Sequence, residues 1–343
     1  MKKILLPLIP LAFALPGCFA AEPKIQSLSA PYPTIGSIER LDPALDALLA
    51  PDAVLEKLAE GFSWSEGPVW VPDKNALLFS DVPMNRVYQW KEGDGITVFL
   101  EPSGFTGATR ANREEGSNGL TLDRQGRLTL CQHGDRRIAR LNADGKSFTT
   151  VVDKWEGKRF NSPNDLCFDR AGNVFFTDPP YGLPKNATAE IPFHGVYRLG
   201  TDGKVTLISK ELDRPNGIAL SADGHTLYVA NSHAPRPIIM AFALEADGTA
   251  GPGRVFFDST ALVQKTKRAG AFDGLRVDNH GNVWATGPGG VLVFGSDGKH
   301  LGTILTGDLT GNCTFGGTDG QTLYLTVNHR LARIKTKVTD GGR

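Results

Sequence analysis

The chain is short of cysteine. It has four in 343 residues, one of them Cys18 near the start, and no C-x-x-C pair. The other three, Cys131, Cys167 and Cys313, lie in separate strand-like segments. An odd number so dispersed argues against a disulfide framework and against a structural zinc site, and for buried thiols. An excess of one charge is lacking too: Lys+Arg and Asp+Glu are both 37, with no run of like charge. Nothing in that balance points to nucleic acid or an anionic membrane as a partner. The one apolar run, at the amino terminus, is short and interrupted by Pro7, Pro10 and Pro16, which argues against a transmembrane helix. Also missing are G-x-S-x-G, H-E-x-x-H, G-x-x-x-x-G-K-[ST] and a G-x-G-x-x-G that opens a helix.

Residues 1–20, MKKILLPLIPLAFALPGCFA, read as an export signal: two lysines, an apolar stretch, then small residues. Leu15-Pro16-Gly17-Cys18 resembles a bacterial lipoprotein box, which would leave a lipid anchor on Cys18. Cleavage after Ala20 is the competing route. By either one the mature protein is exported, to a periplasm. Residues 21–50 show little periodicity and read as an extended leader, 51–338 as one large domain, and 339–343 as a tail.

What the chain has in abundance is glycine, 40 residues, and with 22 prolines this suits a fold of many turns. The glycines are periodic. NDLCFDRAGNVFFTD, from Asn164, has a polar head, an apolar strand, a turn and a second apolar strand. The same phrase opens at Glu66, Asn118, Asn216, Asp273 and Asn312. Gly126, Gly172, Gly224, Gly281 and Gly320 fall at one fixed offset from their heads, where a tight hairpin needs a residue free to take positive φ. Heads recur every ~40–60 residues, a period that indicates a propeller. Further strands fill each unit to four; in the first they are Asn75–Ser80, Arg86–Trp90 and Ile96–Leu100. The expected fold is therefore all-β: a six-bladed β-propeller of four-stranded antiparallel blades. The last repeat runs out of chain one strand short. Residues 53–60 are the candidate to supply it, closing the ring with an N-terminal strand and removing exposed sheet edges. Segments 101–117, 179–194 and 259–270 are longer and polar or Gly/Pro-rich, and should sit on one rim around a pocket.

If each head starts the innermost strand of its blade, Glu66, Asn118, Asn164, Asn216, Asp273 and Asn312 converge on one end of the channel. Two carboxylates and four amides make an oxygen-rich site suited to a hard cation such as Ca²⁺. Cys or His clusters, which softer ions prefer, are not spaced for it. The plainer reading is that Asn-Gly and Asp-Gly are turn dipeptides. Turn chemistry alone does not explain heads that are acidic in two repeats and amide in four, always upstream of the turn. Histidines are scattered; His133, after the second hairpin, lies nearest a mouth of the ring. Asp178 either turns into the funnel or caps the Pro179–Pro180 turn. Trp64, Trp70 and Tyr181 lie near heads or loops, with core packing the plainer fate of Trp70.

The motifs SEGPVW, RFNSPND, TDPPYGL, RPNGIALS, FDGLRVD and NCTFGG resemble those of the gluconolactonase family, also called senescence marker protein or regucalcin, in its longer bacterial branch. The likeness covers about residues 60–335. It implies a six-bladed propeller with one divalent cation on the axis, hydrolysing a small-molecule sugar lactone. The cation would polarise the lactone carbonyl and activate water. It also implies Glu66, Asn164, Asn216 and Asp273 as ligands. Asp273 is the first candidate for general base and Glu66 the second. Asn118 and Asn312 would orient substrate or water, with His133 and Asp178 as further substrate-side candidates. The short animal branch carries an arginine just before its second ligand; here Ser162 holds that position and Arg159 lies a little upstream. Calcium is the first expectation for the metal, with zinc, manganese and magnesium as alternatives. The same ring would suit a related esterase or phosphotriesterase, or a propeller that only binds sugar or calcium.

Overall fold

Strands that are apolar on both faces need a sheet on either side, and a ring of sheets gives every strand that environment. The computed structural model describes residues 24–109, 114–184, 186–245 and 247–342; residues 1–20, expected as an export signal, and Cys18 lie outside them. Six antiparallel sheets surround an axis. Their inner strands are Ser65–Val71, Ser117–Leu122, Leu166–Phe168, Pro215–Leu220, Leu275–Val277 and Asn312–Gly316, for blades 1 to 6.

The period-two alternation is visible in the packing. In blade 1, Trp70 packs with Tyr324 of blade 6, while Val69 and Val71 pack with Leu120 and Leu128 of blade 2. Blade 3 behaves alike: Phe175 faces blade 4, and Val174 and Phe176 face blade 2. The core is thus six apolar layers between blades, each aromatic contributing on the order of 1.5–3 kcal/mol by burial. The repeat glycines all have positive φ, as at Gly172 (+97°) and Gly281 (+84°).

Ring closure follows the sequence expectation. Leu55–Glu60 pairs antiparallel with Arg330–Lys335, with Glu60 opposite Arg330 and Leu55 opposite Ile334. Glu56 accepts from Arg333 across the seam at 2.7 Å, and Arg333 lies over the rings of Tyr32 and Trp90. From Lys24 onward the stretch expected as an extended leader is sewn onto two blades, and it is not extended throughout: Pro43–Ala47 winds into a 3-10 helix that buries Leu45. Gln26–Ser27 and Thr34–Ile35 pair with Leu55–Glu60, and Ser37–Arg40 adds a fifth strand to blade 5. Arg268 grips Glu39 through both guanidinium nitrogens at 2.9 and 3.0 Å.

Inner strands begin, and second strands end, at the same face. The described parts of segments 101–117 and 179–194, and segment 259–270, connect elements there, so these loops lie at the mouth toward which the heads point. Segment 259–270 contains the one α-helix among the described residues, Thr260–Thr266. At the opposite end, Gly341 donates to Val277 and Asp340 bridges to Asp278. The chain's end there lines a cavity of about 120 Å³ beneath the channel.

Candidate active site

The six heads do converge. Four of them give their backbone carbonyl to the preceding blade, which fixes where each inner strand starts. Ser80 Oγ donates to Asn118 O (2.8 Å), Gly119 N to Asn164 O (2.8 Å), Thr177 Oγ1 to Asn216 O (2.8 Å) and Gly217 N to Asp273 O (2.9 Å). These contacts also explain the residue after the head. A Cβ on Gly217 would lie 2.1 Å from Asp273 O, and one on Gly274 2.1 Å from Asn312 Cγ. Gly119, Gly217 and Gly274 have no positive φ, so here Asn-Gly and Asp-Gly mark close approach between inner strands and not turns.

Glu66 is buried, with both oxygens held: Trp64 Nε1 donates to one and Gly67 N to the other, each at 3.1 Å. Asp273 is half-buried at the mouth and is bonded by the Asn216 side chain. Asn164 is buried, its Nδ2 3.4 Å from His133 Nε2, and its Oδ1 has no hydrogen-bond partner among the described residues. Glu66, Asn164, Asn216 and Asp273 are thus brought together. Asn312 is committed on both sides, accepting from Cys313 N (2.8 Å) and donating to Asp165 Oδ2 (3.3 Å). Asn118 is buried on the ring beside Gly67, whose missing Cβ would sit 2.0 Å from Asn118 O.

The remaining expected residues surround the ring. His133 is fully buried, with Nδ1 2.9 Å from Glu114 O. Asp178 turns its carboxylate to the backbone before the third head, accepting from Asn161 N and Ser162 N at 2.8 Å each, instead of capping the Pro179–Pro180 turn. Arg159 lies farther out, donating to Asp135 O at 3.0 Å. Over the mouth, the Arg214 guanidinium stacks on the Tyr181 ring at 5.5 Å.

Two residues went unassigned in the sequence. Asp165 is fully buried just below the ring, and the Arg276 guanidinium lies 4.0 Å from it across the channel. Their signal was positional. Asp165 follows its head where four repeats have glycine and one has cysteine; Arg276 comes three after its head where the others carry Val69, Thr121, Cys167, Ala219 and Phe315.

The electrostatics are lopsided. Burial, with Asp165 and Glu114 adding repulsion, pushes Glu66 up to about 8 despite its hydrogen bonds. Burial and then the charges of Glu66 and Asp165 hold Asp273 well above the usual carboxylate range. Burial raises Asp165 as well, and Arg276 opposes it. Carboxylates crowded in this way, next to an unpartnered amide oxygen, fit a hard divalent cation. Among the described residues no three His, Cys, Asp or Glu side chains are grouped to hold an ion, so amide oxygens must complete any such site.

Comparisons with known proteins agree with this architecture. The chain is 40% identical to a gluconolactonase of Zymomonas mobilis over 311 residues, 89% of this chain and 87% of that one. It is 29% identical to a pentonolactonase of Haloferax volcanii, over 76% of this chain and 80% of the other. A solved gluconolactonase of Xanthomonas campestris superposes with a TM-score of 0.77 at 37% identity, covering 89% of this chain and 97% of that one. Residues 64–329, the span from Trp64 to the blade 6 turn, match the SMP-30/gluconolactonase/LRE-like region, and the chain belongs to that family.

Proposed function

We infer that the protein hydrolyses sugar lactones at the ring, using one divalent cation held by Glu66, Asn164, Asn216 and Asp273. The buried, unpartnered Asn164 Oδ1 among crowded carboxylates is the observation that supports the cation most strongly. The all-oxygen donor set favours calcium. The names of the Zymomonas and Xanthomonas relatives support a gluconolactone-type substrate.

When bound, such a cation supplies Lewis acidity to the lactone carbonyl and lowers the pKa of a water. The chain's own groups divide the remaining work. Glu66, with one hydrogen bond on each oxygen, is held in one orientation and suits a fixed ligand. Asp273 is open to the mouth, so it can take the proton of the attacking water and pass it to the departing alkoxide. Tyr181, with Arg214 against its ring, offers an apolar face and donors to a polyol ring entering the mouth. We read residues 1–20 as an export signal, so the reaction would take place in the periplasm; cell fractionation tests this.

The deciding experiment is pH-stat hydrolysis of glucono-δ-lactone before and after chelation. Turnover should vanish with the metal and return on adding calcium. Chelator-resistant turnover would remove the cation from the reaction, and metal uptake without turnover on any lactone would make the protein a binder.

A further inference from the structure

His133 is oriented from both ends. Its Nδ1 lies 2.9 Å from the carbonyl oxygen of Glu114, which can only accept. The proton of the neutral ring therefore sits on Nδ1, and Nε2 presents a lone pair. Across from Nε2, 3.4 Å away, is the Asn164 side-chain amide. Only its NH₂ end can meet a lone pair, so the amide cannot be reversed there without two acceptors facing each other. Oδ1 is thereby turned to the opposite side, where it is buried with no hydrogen-bond partner among the described residues. The imidazole cannot retreat: a Cβ at Gly182 would lie 2.5 Å from His133 Cβ and 2.8 Å from Ser162 Cβ, so backbone is packed directly behind it.

We propose that His133 is a positioning residue for the cation site, selecting which end of the Asn164 amide faces the axis. This deepens the reading above and rests on it. The Glu114 carbonyl sets the tautomer, the tautomer sets the amide, and the amide presents an oxygen, not an N–H, to a positive ion. An imidazole so engaged at both nitrogens acts through Asn164 and not on substrate directly. Groups that orient a ligand in this way commonly carry about 10–100-fold of metal affinity.

The test uses two isosteres with opposite reach. In His133→Asn the new amide can still donate to Glu114 O but falls short of Asn164. In His133→Gln a carbonyl oxygen can take the place of Nε2. Cation-stripped full-length protein is titrated calorimetrically with calcium and with manganese, alongside the Tm of each stripped variant. H133N should bind about 10–100-fold more weakly than wild type, and H133Q close to wild type. N164A should lose at least as much as H133N, and the double variant H133N/N164A no more than N164A alone. Wild-type affinity in H133N, or losses that add in the double variant, would overturn the proposal and leave the cation reading standing. Wild type that takes up neither ion would overturn both.

Discussion

The channel has two charged levels, and they are built differently. At the mouth, the charge of Glu66 acts on Asp273, which an Asn216 hydrogen bond holds, and Asp165 and Glu114 add to the negative potential. One level below, Asp165 has Arg276 at 4.0 Å and Asn312 at 3.3 Å. Among the described residues the lower level carries its own counter-charge and the upper one does not. Buried charge without a partner is tolerated only where something outside the chain completes it. The lower pair reads as architecture and the upper ring as a receptor.

The largest effect expected from breaking this contrast is catalytic. Asp273→Asn should lower kcat for lactone by about 10²–10⁴-fold while Tm holds or rises, because one buried repulsion is gone. Turnover equal to wild type would take Asp273 out of the reaction. The opposite pattern should come from the lower level. Arg276→Met strands Asp165 and should cost about 3–5 kcal/mol of stability, read as a lowered Tm, with most of it recovered in D165N/R276M. A single variant as stable as wild type would mean the pair is not coupled.

The smallest effect sharpens the contrast without mutation. In cation-free protein Glu66 sits at about 8 against an ordinary 4.5. Below the ordinary value both folded and unfolded chains are protonated there, and nothing is lost. As pH rises toward 8 the unfolded chain ionises freely while the folded one holds its proton, so stability falls with rising pH. Calorimetry of stripped protein should show Tm declining between pH 5 and 8.5, with saturating calcium removing the decline. A flat profile without cation would show that the ring is not under charge strain.

The blades were legible because in five of the six repeats one glycine must adopt positive φ, and that requirement is periodic in the chain. The ring followed, since five heads stand at the same offset from that glycine and Glu66 stands at that offset from Lys74 in a P-D-K-N turn. Asp165 and Arg276 were not legible: a lone charge inside an apolar strand reads as a surface position until its counter-charge, from two blades away, is seen opposite it. The pairing of residues 24–50 was hidden for another reason. Segments as short as Gln26–Ser27 and Thr34–Ile35 have no period, and only the neighbouring sheet edge gives them partners. His133 was noticed for its proximity to the mouth, but its contact with Asn164 depends on how blades 2 and 3 pack, which local pattern does not encode.

The seam between Leu55–Glu60 and Arg330–Lys335 has a consequence for assembly. Blade 6 is incomplete until Arg330–Lys335 meets Leu55–Glu60, a strand that precedes blade 1, so the propeller cannot become a circle before both have been made. Glu66 and Asp273, on blades 1 and 5, flank blade 6 on either side and depend on that gap being bridged. A deletion of Arg330–Lys335, which contains no head residue, should therefore abolish divalent-ion uptake as completely as deleting the ligands themselves.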